Sequence, residues 1–304
     1  MKVIVTGGAG FIGSHLVDEL IVKGFEVHVI DNLLSGKKQN LHPSAAFHNV
    51  DVRSKEAHDV IVSEKPGIVF HLAAQADVEK SIRDPKYDAD LNINGTINIL
   101  KACHAASVKK FVFASTSGVY GDLKKMEISE DDPAVPISYY GLSKLTAESY
   151  IRLFHKLYEL TYTILRYGNV YGPRQSAKGE GGVVAIFLDR IKNEMPLTIH
   201  GDGEQTRDFI FVKDIVRANI AAMEYGDQET IHVSTSQRTS VNALLEMMKI
   251  IHGSPVHATY AASRIGDIKH SCLSNLKGKQ VLAWNPIFTI FDGLTETYHY
   301  KNNT

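Results

Sequence analysis

Cysteine and metal-binding patterns are scarce in this sequence. Its 304 residues include 2 cysteines, Cys103 and Cys272, which lie far apart and lack the spacing of metal ligands. This predicts a reducing compartment and argues against a disulfide framework. The 14 histidines are scattered, and none forms an HxxxH or HExxH pair. We therefore expect no structural metal site.

Long hydrophobic runs and an excess of one charge sign are also absent. No apolar run approaches the roughly 18 residues of a membrane-spanning helix, and the N-terminal run MKVIVTGG is too short for the core of a signal peptide. The formal net charge is -1, which gives no electrostatic reason to expect nucleic acid or an anionic membrane as a partner. These features predict a cytoplasmic protein.

Short β-branched runs alternate with longer helical patterns over the first 170 residues. Parallel strands that are covered by helices on both faces are almost wholly apolar, so this order predicts an α/β fold with a doubly wound parallel sheet of the Rossmann type. The predicted strands span 2–6, 26–31, 67–73, 109–115 and 162–168, and the predicted helices span 11–24, 55–64, 86–106 and 141–159.

The alternation weakens after residue 170. Turn-rich stretches occupy 172–182 and 199–209, and the remaining pattern predicts helices near 183–193, 212–225 and 240–252 and a strand near 230–234. We interpret residues 1–170 as one domain and residues 171–304 mainly as a smaller C-terminal lobe that carries the substrate site. Some later elements are expected to cross back into the first domain.

A glycine pattern lies where the first predicted strand meets the first predicted helix. The stretch TGGAGFIGSHL (6–16) contains Gly7, Gly10 and Gly13, whose spacing permits a tight turn and close approach of the backbone to a pyrophosphate. Asp31 ends the second strand, where its carboxylate can accept hydrogen bonds from ribose hydroxyls and would repel a 2′-phosphate. The pattern predicts NAD rather than NADP in the domain over residues 1–170. A glycine turn without a nucleotide is the alternative.

Two tyrosines are each followed four residues later by a lysine: Tyr120 by Lys124 and Tyr140 by Lys144. Residues four apart face the same side only on a helix. The first pair encloses a Gly-Asp dipeptide, which is typical of a turn, whereas the second opens a long amphipathic segment with Ser138 as its cap. We therefore predict that Tyr140 is the general base, its pKa lowered by Lys144 and by an oxidised nicotinamide. A surface tyrosine and lysine are the alternative.

Further motifs extend the pattern over nearly the whole chain. They are NINGT (92–96), FASTSGVYG (113–121), LRYGNVYGP (165–173), GDGEQTRDFIFVKD (201–214) and RIGDI (264–268). With TGGAGFIG and YGLSK (140–144) they resemble the extended short-chain dehydrogenase/reductase family, in its nucleotide-sugar epimerase/dehydratase branch, and most closely the 4-epimerases of UDP-glucose or UDP-N-acetylglucosamine. The resemblance implies a Rossmann domain with tightly bound NAD, a small lobe for a UDP-sugar, and a homodimer joined through a helix bundle.

The resemblance also assigns roles to individual residues. Thr116 is expected to share a proton path with Tyr140 and the 4-hydroxyl of the sugar. Arg207 and Arg264 are expected to pair with the phosphates, because the planar guanidinium binds two phosphate oxygens at once. Asp267 is expected either to accept a hydrogen bond from a ribose or to orient Arg264.

The predicted site residues fall into three groups. The catalytic residues are Tyr140, Lys144 and Thr116. The cofactor-binding residues are Gly7, Gly10, Phe11, Ile12, Gly13, Asp31, Asn32, Asp51, Val52, Leu72, Ala73, Ala74, Asn92, Tyr140, Lys144 and Tyr167. The substrate-binding residues are Thr116, Ser117, Tyr140, Asn169, Val183, Arg207, Arg264, Asp267 and Ser271. For Asp51, an ordinary loop aspartate is the alternative.

The residues in the loop after the strand at 109–115 reduce the number of reactions that the resemblance allows. In the resembled family, 4,6-dehydratases carry an Asp-Glu pair after the threonine and decarboxylases carry a glutamate, whereas this chain has Ser117 and Gly118. The cysteine and histidine of 3,5-epimerase/reductases have no counterpart near the predicted sugar site. The resemblance therefore favours 4-epimerisation through a transient 4-keto sugar, with NAD reduced and re-oxidised in each turnover.

Two other readings stay open at this point. A nucleotide-sugar 4-reductase or 4,6-dehydratase of the same family is the enzymatic alternative. A dinucleotide-sensing binding protein is the non-enzymatic one, although such relatives typically lack the tyrosine or the lysine.

One position bears on the choice of sugar. Four residues after Asp267, where the family's epimerases have a gate residue beside the 2-substituent of the sugar, this chain has Ser271. A small gate leaves room for an N-acetyl group, so we predict activity on UDP-GlcNAc and UDP-GalNAc as well as on UDP-Glc and UDP-Gal. Ala76 departs from the family, since some epimerases have a lysine there near the cofactor.

Overall fold

A computed structural model of the chain describes residues 1–178, 182–262 and 268–303. Two of the predicted substrate-binding residues, Arg264 and Asp267, lie outside the described residues.

The helices and strands are labelled in chain order. Strands β1 to β13 span Lys2–Thr6, Glu26–Ile30, Ala46–His48, Ile68–His71, Lys110–Thr116, Tyr162–Tyr167, Asn169–Tyr171, Leu197–His200, Thr206–Arg207, Phe209–Phe211, Glu229–Val233, Thr239–Ser240 and Ala258–Ala261. Helices α1 to α11 span Phe11–Val22, Lys55–Glu64, Val78–Arg83, Pro85–Ala89, Gly95–Ala105, Tyr139–Tyr158, Val183–Lys192, Val212–Ala221, Val241–His252, Leu276–Val281 and Ile290–Asn303. Short 3-10 helices span Lys38–Asn40 and Ser117–Tyr120, and a π-helical turn spans Asp90–Asn94.

The main sheet contains seven strands in the order β11-β6-β5-β4-β1-β2-β3. All neighbouring pairs in it are parallel. The order reverses direction at β1, which is the arrangement of a doubly wound Rossmann sheet. The predicted fold class is therefore confirmed.

Helices cover both faces of this sheet because successive strand residues point to opposite sides. Val3 and Val5 pack on the face that holds α1 and α8, whereas Ile4 packs on the face that holds α2, α5 and α6. The central strands are buried on both faces and are consequently mostly apolar, with the polar Thr6 and His71 at the carboxyl ends of β1 and β4.

The C-terminal part of the chain builds a second core from smaller sheets. Strand β10 pairs with β7 and β13 with β8, both in parallel, and β12 pairs with β9 antiparallel. These strands and helices α7, α9 and α11 enclose a cluster that includes Tyr171, Phe187, Phe211 and Leu244. Strand β11 instead joins the edge of the main sheet beside β6. The division of the chain at residue 170 stays a prediction.

The structure corrects two of the predicted elements. The single helix predicted over 86–106 is interrupted by the π-helical turn, which turns the side chain of Asn92 inward, where it makes several hydrogen bonds. The strand predicted over 67–73 ends at His71, and Leu72 and Ala73 continue as a loop. The predicted helix cap is confirmed, since Ser138 Oγ accepts a hydrogen bond from the Gly141 N–H.

Among the residues that the structure describes, no helix has the length and apolar character needed to cross a membrane. Within the same residues, no three histidine, cysteine, aspartate or glutamate side chains come together in a way that could hold a metal ion.

Candidate active site

A cleft of about 520 Å³ opens at the carboxyl ends of the main-sheet strands. Ligands of doubly wound sheets bind at this edge, where the strand order reverses. The cleft brings together predicted residues from both halves of the chain. Those that line it are Gly7, Gly10, Phe11, Ile12, Gly13, Asp31, Leu72, Ala73, Ala74, Tyr140, Lys144, Tyr167, Asn169, Val183 and Arg207.

The glycine loop between β1 and α1 leaves no room for side chains. Gly7 has a φ of 72°, and a Cβ added there would lie 2.7 Å from the Ala73 nitrogen. A Cβ on Gly13 would lie 2.2 Å from the Gly7 carbonyl oxygen. Helix α1 then begins at Phe11 without a side-chain cap or an acidic residue in its first turn. Its N–H groups therefore suit a phosphate, and the loop fits a dinucleotide.

Asp31 lies at the end of β2 in the cleft wall and is buried. Its Oδ2 accepts a hydrogen bond from the Ala9 N–H at 3.0 Å and its Oδ1 accepts one from the Leu33 N–H at 2.8 Å. Burial raises the pKa of this carboxyl above its usual range, although the two N–H groups oppose the shift. Each oxygen keeps a lone pair for a ribose hydroxyl, whereas a 2′-phosphate would meet a buried carboxyl group.

Asn32, Asp51 and Val52 do not line the cleft. The Asn32 amide donates to Asp51 Oδ2 at 2.9 Å, and Arg53 binds the same carboxylate through its Nε and Nη2, both at 2.9 Å. The hydrogen bond from Arg53 is the main reason that the pKa of Asp51 falls to about 2. Val52 is buried. The role of these three residues in cofactor binding stays a prediction.

Asn92 also lies behind the cleft wall. Its Oδ1 accepts from the Gln75 N–H at 2.8 Å, and its Nδ2 donates to the Gln75 carbonyl at 2.9 Å and to Ser143 Oγ at 3.0 Å. It therefore joins the loop after β4 to helix α6, which carries Tyr140. The sequence prediction of Asn92 as a cofactor residue remains untested, and the structure gives it this joining contact instead of a place in the cleft lining.

Helix α6 delivers Tyr140 and Lys144 to the cleft from one face, one turn apart. The Lys144 side chain is 3 % exposed. Its Nζ donates to the Ala114 carbonyl at 2.9 Å and lies 4.7 Å from the centre of the Phe113 ring. The ammonium is thus held beside the end of β5 by a carbonyl dipole and an aromatic face.

The loop after β5 packs tightly against the start of α6. A Cβ added to Gly141 would lie 2.4 Å from the Gly118 carbonyl oxygen. Thr116 and Ser117 do not line the cleft, but Ser115, which precedes them, does. Thr116 Oγ1 accepts a hydrogen bond from the Gly118 N–H at 3.1 Å. The close backbone contact places this loop beside Tyr140.

The other tyrosine-lysine pair has a different setting. Tyr120 is fully buried, whereas Lys124 is exposed in the irregular segment that follows. The Tyr120 hydroxyl accepts from Arg166 Nη1 at 2.5 Å and lies 2.6 Å from His232 Nε2. His232 Nδ1 lies 3.0 Å from the Ser274 carbonyl. That nitrogen must therefore donate, so the Nε2 accepts the proton of Tyr120.

This buried network continues to the wall of the cleft. Arg166 donates to both oxygens of Glu148, at 2.9 and 2.6 Å, and Ser115 Oγ donates to Glu148 Oε1 at 2.6 Å. The hydrogen bonds and charge of Arg166 hold the pKa of Glu148 below its usual range against the effect of burial. Glu148 lies one turn after Lys144 on α6 and so anchors the start of the Thr116 loop to that helix.

The end of the cleft that holds the predicted substrate residues Asn169 and Arg207 is built around β7, β8 and β9. The Asn169 N–H donates to the Asp208 carbonyl at 2.7 Å, and Arg207 Nη1 donates to the Thr206 carbonyl at 3.0 Å. Ser271 does not line the cleft, but its N–H donates to the carbonyl of Thr206, the neighbour of Arg207, at 3.2 Å. The predicted gate therefore lies close to the strand that carries Arg207.

Several residues of the cleft were missed in the sequence. Strand β8 alternates buried and partly exposed residues, so Thr198 and His200 line the cleft while Leu197 and Ile199 face the core. The LTIH alternation is a signal that could have indicated a half-buried strand. Gln175 also lines the cleft, and its sequence context gives no comparable signal.

Comparisons with known proteins identify the family of the chain. The model of the NAD dependent epimerase/dehydratase family matches residues 3–234. A putative UDP-glucose 4-epimerase of Methanocaldococcus jannaschii is 42% identical over 303 residues, which cover 99% of this chain and 98% of the relative. The UDP-glucose 4-epimerase of Thermotoga maritima, solved with UDP-glucose, superimposes with a TM-score of 0.96 at 45% identity, over 99% of this chain and 98% of that one.

Two further solved structures carry other ligands. The UDP-N-acetylglucosamine 4-epimerase of Methanobrevibacter ruminantium, in complex with UDP-N-acetylmuramic acid, has a TM-score of 0.94 and 36% identity, over 98% of this chain and 97% of that one. The UDP-glucuronic acid 4-epimerase of Bacillus cereus, with UDP-glucuronic acid and NAD, has a TM-score of 0.92 and 31% identity, over 100% and 99%. The family predicted from the sequence motifs is confirmed.

Proposed function

Because this chain belongs to the NAD dependent epimerase/dehydratase family, we propose that it is a 4-epimerase of UDP-hexoses, acting on UDP-Glc and UDP-Gal and also on UDP-GlcNAc and UDP-GalNAc. The observation that carries the proposal is the cleft itself. Tyr140 and the buried ammonium of Lys144 face the same space as the glycine loop and Arg207. One cavity thus holds a proton acceptor, a dinucleotide cradle and a cation for phosphate.

The residues of the chain then act in a fixed order. Arg207 binds the diphosphate, since a guanidinium suits phosphate oxygens. Tyr140 takes the proton of the sugar's 4-hydroxyl, and the positive charge of Lys144 one turn away favours the phenolate. NAD, when bound, supplies the hydride acceptor for carbon 4. After the 4-keto sugar has rotated in the cleft, carbon 4 would regain the hydride on its opposite face and Tyr140 returns the proton to the 4-oxygen, so the reaction has no net redox change.

The charges of the cleft favour a neutral sugar. Among the described lining residues, the cations are Lys144 and Arg207, with His200 as a third titratable base. Lys144 is buried at the reacting end, and Arg207 is assigned to the diphosphate. The carboxylate of a glucuronate would need a further cation in contact with the hexose, because a desolvated charge without a partner is costly. This supports hexoses over hexuronates.

Incubation of the purified protein with UDP-glucose and with UDP-GlcNAc, without added cofactor, tests the activity. The anomeric proton followed by NMR is expected to show conversion to the galacto epimer in both cases. A protein that stays inert until NAD(P)H and a 4-keto sugar are added would be the 4-reductase, and loss of water from the sugar would identify a 4,6-dehydratase. A dinucleotide-sensing protein would bind NAD and convert neither sugar.

The choice of sugar is tested at the proposed gate. Ser271→Tyr is expected to reduce turnover of UDP-GlcNAc at least about tenfold relative to UDP-glucose, because the larger side chain would occupy the space of the N-acetyl group. Ser271→Ala is the matched control and is expected to leave the ratio unchanged. An equal ratio in the tyrosine variant contradicts the assignment of the gate and leaves the epimerase reaction standing.

We further propose that the protein is a homodimer joined through the outer face of α6. This face exposes Leu142, Tyr150, Leu153 and Leu157, with relative exposures of 48%, 38%, 48% and 59%, at spacings that form one stripe. Leu153→Asp is expected to give a monomer in sedimentation experiments. Leu276→Asp, on another exposed helix, is the control and should leave the dimer intact. A monomeric wild-type protein would refute the proposal.

A further inference from the structure

A second cavity, of about 240 Å³, lies beside the cleft and shares Gln175 with it. Its walls come from four segments that are distant in sequence: the loop 37–40, the loop 172–175, helix α7 and helix α11. Four of its lining residues are cations, namely Lys37, Arg174, Lys192 and Lys301, and the described lining residues include no carboxylate. The cavity is thus strongly electropositive.

The positive charge of this cavity is only partly neutralised. Arg174 and Lys301 are each paired with an aspartate outside the cavity wall, at 2.7 and 2.8 Å. Lys192 Nζ donates to the carbonyl of Lys301 at 2.7 Å, which leaves its charge in place. Within the part of the chain that the structure describes, neither Lys37 nor Lys192 forms an ion pair with a carboxylate. Two positive charges therefore face the cavity without compensation.

Two polar atoms at the wall also lack partners. Arg174 Nη1 and Gln175 Oε1 are buried, and neither has a hydrogen-bond partner among the described residues. Because both atoms have almost no accessible surface, a ligand can reach them only if the Arg174 and Gln175 side chains shift. Arg174 also has a φ of 69°, a left-handed conformation that is uncommon for a residue with a Cβ. Its guanidinium is held by the ion pair between Nη2 and Asp18 Oδ2 at 2.7 Å.

We propose that this cavity is a second binding site, specific for a phosphoryl anion such as pyrophosphate. Lys37 and Lys192 supply positive charge that no carboxylate of the described residues neutralises, and the Arg174 guanidinium adds a further cation, in the manner that cationic side chains bind phosphate. The site is connected to the glycine loop, because the Lys37 N–H donates to the Ala9 carbonyl at 3.0 Å and Asn40 Nδ2 donates to the same oxygen at 3.1 Å. It is separate from the diphosphate position assigned to Arg207.

Calorimetric titration with pyrophosphate tests the site on the NAD-loaded protein, first saturated with UDP to occupy the main cleft. The wild-type protein is expected to bind one pyrophosphate. A double variant with Lys37→Gln and Lys192→Gln is expected to bind at least about tenfold more weakly, because it loses two charge-assisted contacts. Both side chains are at the surface, so the fold should persist. Lys124→Gln with Lys279→Gln, two exposed lysines elsewhere, is the control of equal charge change.

Each result of the titration either supports or overturns the proposed site. Binding that survives UDP, weakens in the Lys37/Lys192 variant and persists in the control supports the site. Absence of binding, displacement by UDP, or equal weakening in both double variants overturns it. The measurement reads binding heat and not turnover, so the result does not depend on the proposed epimerase activity.

Discussion

The two tyrosine-lysine pairs of this chain have the same spacing and opposite settings. Tyr140 and Lys144 share one face of helix α6 and both line the cleft. Tyr120 is buried with its hydroxyl between Arg166 and His232, while Lys124 lies exposed in an irregular segment. A spacing of four residues acquires chemical meaning only where a helix turns it into a shared face.

The hydroxyls of Tyr120 and Tyr140 also differ in their surroundings. Burial is the main reason that the pKa of Tyr120 rises to about 12, which keeps its proton in place. Tyr120 is therefore a structural hydrogen-bonding group. Tyr140 is only partly buried and faces a cleft that also holds a pinned ammonium, which is the setting that proton transfer requires.

The largest effect is expected from removal of the Tyr140 hydroxyl. Tyr140→Phe should lower kcat roughly a thousandfold, because a positioned acid-base group typically contributes about 10²- to 10⁴-fold. Bound NAD, measured by absorbance after denaturation, should be unchanged. Tyr139→Phe, which alters the exposed neighbour on the same helix, is the control and should keep full activity. A loss of less than about tenfold in Tyr140→Phe would remove the base from the mechanism.

Removal of the buried ammonium should have the next largest effect. Lys144→Met should lower kcat about a hundredfold and move the acid limb of its pH profile to higher pH, because no positive charge then favours the phenolate. The loss of kcat should not be matched by a comparable loss in the free energy of unfolding, since replacement of a buried charge by an apolar side chain is often neutral. Lys124→Met should change neither quantity. An unmoved pH profile in Lys144→Met would contradict the electrostatic role.

Much of the fold and of the catalytic face followed from local patterns. The β-branched runs, the glycine spacing and the cap at Ser138 depend on neighbours in sequence, so they could be predicted. The position of Asn92 could not, because a π-helical turn inserted between α4 and α5 decides where its side chain points. The end of β4 was likewise predicted two residues late, since the apolar Leu72 and Ala73 line a ligand cleft and not a strand.

The cleft residues that come from β8 and from the loop at 172–175 were predicted less completely than the glycine loop, for a physical reason. Thr198, His200 and Gln175 come to the cleft from a short strand and a loop whose places are set by packing against distant segments. The sequence around them carries no spacing that a ligand imposes. The glycine loop is different, because contact with a pyrophosphate restricts the residues within one short stretch.

A stability effect of intermediate size is expected at the other tyrosine. Tyr120→Phe leaves Arg166 Nη1 and His232 Nε2 without their partner in a buried place, which should lower the free energy of unfolding by about 2 kcal/mol. Its kcat should stay within about threefold of the wild type. Urea unfolding and the NMR assay measure the two quantities. A variant that keeps its stability but loses turnover would assign Tyr120 to the chemistry.

The smallest effect concerns the partner of Tyr120. Burial lowers the pKa of His232 to about 3, below the value of about 6.5 in an unfolded chain. The unfolded state therefore takes up a proton first as the pH falls. The contribution of His232 is complete above about pH 6.5 and is lost progressively as the pH falls toward 3. Between pH 7 and pH 5.5 this single group should reduce the free energy of unfolding by about 1 kcal/mol.

His232→Gln removes the titration and keeps one donor for the Ser274 carbonyl and one acceptor for the Tyr120 hydroxyl. Urea unfolding at both pH values should show that the variant loses about 1 kcal/mol less than the wild type over this interval. His299→Gln, at an exposed histidine of α11, should lose as much as the wild type. Equal losses in the wild type and in His232→Gln would mean that the imidazole takes up its proton in the folded protein over the same pH range as in the unfolded chain. Below that range it would donate to Tyr120 from Nε2, and the assignment of Tyr120 as the donor would fail there.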